Sequence, residues 1–89
     1  MTIAETIRIR LEDAFSPNVL EVIDESHLHS GHAGARPEGE THFRVTVVSE
    51  TFKGENRVER QRSVYRVLSD LLEGPIHALS LKLSAPDES

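Results

Sequence analysis

The residues of this chain best equipped for chemistry are its five histidines, set in a sequence with no cysteine. His27, His29 and His32 form a His-x-His-x-x-His cluster in a stretch broken by Gly31, Gly34, Pro37 and Gly39. Neutral imidazole is the commonest metal ligand, so the cluster reads as a divalent-metal site or an adventitious nickel or zinc binder. Its spacing matches no established zinc pattern, and the nearby acids, Glu38 and Glu40, lie well downstream. The alternative for His32, between glycines, is a solvated loop histidine. His77 stands in register with Leu79, Leu81 and Leu83, which also allows a structural histidine on a core face. His42 opens an alternating run and reads as structural.

A second feature is electrostatic. The net charge is −5, which gives no overall attraction to nucleic acid or anionic lipid. Yet Lys53, Arg57, Arg60, Arg62 and Arg66 fall in one window against only Glu55 and Glu59. This basic run on an acidic body is a candidate surface for nucleic acid or for an acidic partner. The plainer reading is a solvated helix face laced with Glu–Arg pairs. With Phe43 and Tyr65 expected in the core, few aromatics remain for stacking on bases.

These residues need elements to position them. Thr2 and Glu5 form a capping-box pair, and Ile3, Ile7, Leu11, Ala14 and Phe15 recur at helical spacing, so residues 3–15 are predicted helical. Val19–Asp24 is short and β-branched, a strand. Residues 26–40 lack periodicity and form a long loop. Thr41–Ser49 alternates as a second strand, antiparallel to the first. Asn56 and Glu59 open another helix, whose buried stripe is read as Val58, Val64, Tyr65, Leu68, Leu71 and Leu72, ending near Glu73 before Gly74-Pro75. Ile76–Leu83 is the third strand, and residues 84–89 form a polar, disordered tail. A right-handed crossover makes strands two and three parallel. The expected fold is α+β: one domain over residues 1–89, an α-β-β-α-β two-layer sandwich with a three-stranded mixed sheet and helices on one face.

In this order, Glu25-Ser26-His27, Gly31-His32-Ala33, Thr41-His42-Phe43-Arg44-Val45, Val47-Val48-Ser49, Phe52-Lys53-Gly54, Arg60-Gln61-Arg62, Tyr65 and Ile76-His77-Ala78-Leu79 resemble the BolA family, from Ile3 to Leu83. The resemblance implies a class II KH-like fold. It also implies binding to monothiol glutaredoxins of the Cys-Gly-Phe-Ser type, with a [2Fe–2S] cluster shared in the complex with glutaredoxin and glutathione. The implied ligands on this chain are His77 and His32, with His29 as the backup loop ligand. Imidazoles replace two thiolates in Rieske centres, so a chain without cysteine fits a shared cluster and not one held alone. Two departures from the family pattern stand out: Gln61 replaces the middle histidine of an Arg-His-Arg motif, and the short aromatic-containing helix after the last strand looks absent or degenerate.

The expected function is therefore that of a glutaredoxin partner in iron–sulfur trafficking or iron regulation. The alternative is a DNA-binding transcriptional regulator using the KH-like basic surface, although no Gly-x-x-Gly clamp occurs in the helical region. No nucleophile elbow, P-loop or paired-carboxylate motif points to an enzyme. The N-terminus lacks a signal-peptide pattern, and no stretch reaches the roughly 18 apolar residues of a membrane span. Together with the missing cysteines, this sets the expectation of a cytoplasmic protein, monomeric or weakly dimeric.

Overall fold

A computed structural model describes residues 2–25 and 42–88. Helix α1 runs over Ile3–Phe15. Thr2 caps it, its Oγ1 accepting the Glu5 N–H at 3.1 Å, which satisfies one of the donors every helix start leaves orphaned. Ile7, Leu11 and Phe15, at intervals of four, form its buried stripe. Ser16 ends the helix in the left-handed region (φ 44°, ψ 57°), its N–H bonded to the Glu12 carbonyl. Glycine holds that conformation without a Cβ penalty. Ser16→Gly is therefore expected to raise stability by about 0.5–1 kcal/mol, read as a higher urea midpoint at unchanged slope.

Strands β1 (Val19–Asp24), β2 (His42–Val48) and β3 (Ala78–Ser84) form one sheet in the order β1-β2-β3. β1 pairs antiparallel with β2, from Val19 opposite Val48 to Asp24 opposite Phe43. β3 pairs parallel with β2, from His42 beside Ala78 to Val48 beside Ser84. Phe43, Val45 and Val47 alternate inward from the central strand and meet Ile7, Leu11 and Phe15 of α1. Leu79, Leu81 and Leu83 pack against the same core from β3. The α+β architecture, with a mixed sheet and helices over one face, is as the sequence led us to expect.

Between β2 and the next helix, a 3-10 turn at Glu50–Phe52 drives Phe52 into the core, with its ring centroid 5.1 Å from that of Phe15. Ser49 ties this turn down: its buried Oγ donates to the Phe15 carbonyl at 2.7 Å and accepts the Thr51 N–H. Gly54, at φ 81°, turns the chain into α2 (Arg57–Val67). Asn56 and Glu59 complete a reciprocal capping box, both bonds 2.8 Å.

The C-terminal half of the chain departs from expectation in three ways, two of them in the long second helix. It breaks at Leu68 (φ −106°, ψ 14°), and a short α3 (Ser69–Glu73) follows. The break lets fully buried Leu68 stay in the core while Asp70 reaches Arg10 of α1. That pair is bidentate, and the guanidinium holds the Asp70 carboxyl below its usual range. The buried stripe is also rotated from the expected one. Arg60, Val64 and Leu68 face inward, whereas Val58 and Tyr65 are 54% and 40% exposed.

The third departure explains the second. Residues 84–88, expected to be frayed, are ordered. Ser84 closes β3, Ala85 is fully buried, and Pro86–Glu88 form a 3-10 turn where the family's last short helix looked absent. Glu88 grips Arg60 through two bonds of 2.6 and 2.7 Å. Arg60 also donates to the Leu83 carbonyl at 3.3 Å, and its guanidinium lies 6.0 Å from the Phe52 ring centroid. An arginine can point inward here because the tail brings it a carboxylate.

The Arg60 guanidinium, with help from the Ala85 N–H, depresses the Glu88 carboxyl to a pKa of about 2 from 4.5. A carboxylate whose folded pKa is lowered stabilises the fold fully above its unfolded pKa and loses that contribution as pH falls through the folded value. Glu88→Gln is thus expected to lower the urea midpoint at pH 7. The gap from wild type should narrow steadily from about pH 4.5 to about pH 2. A gap independent of pH would show that the pair contributes through packing alone.

Candidate functional site

The N-terminal ends of β2 and β3 and the C-terminal end of β1 meet at one pole of the sheet, as the strand directions require. His42 is the first residue of β2. His77 immediately precedes β3, and its neighbour Ala78 is the register partner of His42. The two imidazoles therefore lie side by side, ring centroids 5.4 Å apart and tilted by 54°. His42 is buried, and His77 is exposed. The alternative that placed His77 on the core face with Leu79 does not hold. Ile76 takes the buried position and the chain bends at His77, turning the imidazole outward.

A depression of about 260 Å³ adjoins this pair, lined by Glu25, His42, Phe43, Ala78, Leu79 and Ser80. Glu25 donates its N–H to the His42 carbonyl at 2.8 Å and pairs with Arg44 at 3.0 Å. Both flanks of the 26–41 segment are thus fixed at this pole. His27, His29 and His32 lie on that segment, outside the described residues. Among the described residues no three His, Cys, Asp or Glu side chains gather to hold a metal. Among the described residues the exposed His77 imidazole is a nitrogen donor of the kind that replaces thiolate in some iron–sulfur sites.

Sequence reasoning passed over His42 as structural. The available signal was topological: a parallel pairing that sets the start of the third strand beside the start of the second brings the two histidines together.

The basic run divides in the structure. Lys53, Arg57, Arg62 and Arg66 are exposed, and none makes an ion pair among the described residues. Arg60 does not belong with them, because it is turned into the protein and held by Glu88. The expected Glu–Arg lacing of this face is also missing, since Glu59 is spent on the N-cap. Tyr65, expected in the core, joins Val58 on the exposed side of α2 near Arg62 and Arg66. The face is therefore cationic and partly aromatic.

The model of the family described as BolA-like protein matches residues 11–88. The chain belongs to the BolA family. It is 48% identical over 80 residues to BolA-like protein 1 of Mus musculus, covering 90% of this chain and 56% of that protein. It is 36% identical over 88 residues to a Haemophilus influenzae protein named DNA-binding transcriptional regulator BolA, covering 99% of this chain and 82% of that one. Among solved structures, BolA1 from Arabidopsis thaliana superposes with a TM-score of 0.89 at 40% identity, over 100% of this chain and 97% of that one. The BolA chain described here thus spans little more than half of the mouse protein it resembles. Among its described residues no helix is long and apolar enough to cross a membrane.

Proposed function

We propose that this BolA protein is a cytoplasmic partner of a monothiol glutaredoxin of the Cys-Gly-Phe-Ser type, and that the two share a [2Fe–2S] cluster in iron–sulfur trafficking or iron regulation. The observation that carries the reading is the exposed His77 imidazole, at the pole where the histidine-bearing 26–41 segment begins and ends. His77 and His32 are the proposed ligands, with His29 as substitute for His32; glutaredoxin and glutathione supply the thiolates. Such a cluster, when bound, is a one-electron centre and a transferable source of iron and sulfide. This chain contributes neutral nitrogen donors, a lower negative charge than four thiolates would place there, and a surface for docking. Lys53, Arg57, Arg62 and Arg66 suit an acidic partner or glutathione's carboxylates.

The test is reconstitution with such a glutaredoxin, glutathione, iron and sulfide, followed by visible absorption and circular dichroism. A spectrum distinct from that of the glutaredoxin homodimer is expected. A mixture that never departs from the homodimer spectrum overturns the reading.

A second reading is supported by the unpaired cations around Tyr65, a combination suited to phosphates and to a stacked base. It makes the protein a DNA-binding regulator, as the name of the Haemophilus relative suggests for that protein. Binding to DNA that weakens steeply with salt and is lost on reversing Arg57 and Arg62 would favour it.

A further inference from the structure

At the opposite end of β3 from His77, a cavity of about 370 Å³ opens between the first turns of α2 and the sheet edge, lined by Glu55, Arg57, Arg60, Gln61 and Leu81–Leu83. Two polar atoms of these residues are buried without a hydrogen-bond partner: Nε of Arg60, a donor, and Oε1 of Glu55, an acceptor. Arg60 is 9% exposed, so its unspent donor lies in a built wall and not on a mobile surface side chain. Buried polar atoms left unpaired cost free energy, and each one in a native fold calls for an explanation.

The strand beside the cavity is unfinished as well. β3 is an edge strand. The Ser84 carbonyl accepts the Ser49 N–H and so faces the neighbouring end of β2, while the Leu83 carbonyl faces away and accepts from Arg60. Backbone groups alternate in direction along a strand. Leu79 and Leu81 therefore present their N–H and C=O groups to the open edge. Arg60 covers this edge only at Leu83.

We propose that this edge binds an extended, acidic peptide segment of a partner protein by strand addition. A peptide unit offers both a C=O and an N–H. The C=O can accept from Arg60 Nε and the N–H can donate to Glu55 Oε1, while neighbouring units pair with Leu79 and Leu81. Acidic side chains on such a segment meet Arg57 and Lys82, exposed cations with no ion pair among the described residues. A peptide of the opposite charge would face these cations unpaired. The site does not depend on His77, so it stands or falls apart from the cluster reading.

The experiment titrates the ¹⁵N-labelled full chain with a short, end-capped peptide of alternating glutamate and threonine. The control peptide has the same sequence with every backbone amide N-methylated, which leaves no N–H to donate to a strand in either register. The expected result is saturable binding of the first peptide only, slowed hydrogen exchange at the Leu79 and Leu81 amides, and a shifted Arg60 Nε–H resonance. Arg57→Glu with Lys82→Glu, both on the surface, should weaken binding about tenfold or more while circular dichroism stays unchanged. Equal binding of both peptides would reduce the site to charge attraction and overturn the proposal. So would the absence of any shift at millimolar peptide, which leaves water as the partner of the two atoms. Amides already protected in a dimeric free protein would assign the edge to a second copy. Protection by a single-stranded oligonucleotide and not by the peptide would assign it to nucleic acid.

Discussion

His77→Ala is expected to abolish the mixed-complex spectrum formed with a monothiol glutaredoxin, leaving only the homodimer signal. The expectation is sharp because the side chain is exposed and lies outside the core cluster. Its removal should therefore change stability by no more than about 0.5 kcal/mol, so loss of the spectrum could not be blamed on unfolding. His32→Ala should weaken the signal and His29→Ala should spare it, unless His29 replaces its neighbour. His42→Gln separates ligation from positioning. His42 is buried against His77, so the substitution should perturb the spectrum through the geometry of His77 without eliminating it. If His77→Ala left the mixed spectrum intact, the proposed ligand set would fail while family membership stood.

The largest effect on stability is expected from Phe52→Ala, about 3–5 kcal/mol as read from urea unfolding. Phe52 is fully buried, packs against Phe15 and lies beneath the Arg60 guanidinium. Its removal opens a cavity that joins α1, α2 and the tail. A domain of 89 residues has a narrow margin, so a loss of this size approaches the whole stability. Tyr65→Ala is the matched control. Its ring is 40% exposed and should cost far less. Comparable losses from the two would mean that the exposed α2 face is packed in solution in a way the isolated chain does not show.

Local signals carried far in this sequence. Thr2 and the fourfold spacing of Ile7, Leu11 and Phe15 set α1 over the predicted residues. β1 also has its predicted bounds, and the Asn56–Glu59 box marks the start of α2. Failures came where a residue's environment is decided by a distant one. Arg60 faces inward because Glu88, 28 residues later, meets it there, and no local pattern announces such a partner. Leu68 breaks the helix without glycine or proline because the core holds it and Arg10 holds Asp70. The candidate ligands were read from composition, through histidines without cysteine, and from the family motifs; of them only His77 lies among the described residues. The proximity of His42 to His77 required the parallel register, which is a property of topology and not of spacing.

That register has a kinetic consequence. Partners between β1 and β2 are separated by 19 residues at Asp24–Phe43 and by 29 at Val19–Val48, so this ribbon can zip outward from its nearer end. Every partner between β2 and β3 is 36 residues away, from His42–Ala78 to Val48–Ser84. A parallel pair has no near end from which to start, and the whole loop entropy must be met before the first contact forms. β3 is therefore expected to dock last in folding and to detach first in native-state fluctuations. The exposed histidine would travel with the part of the molecule that opens most readily, so a partner that grips β3 would also slow the domain's unfolding.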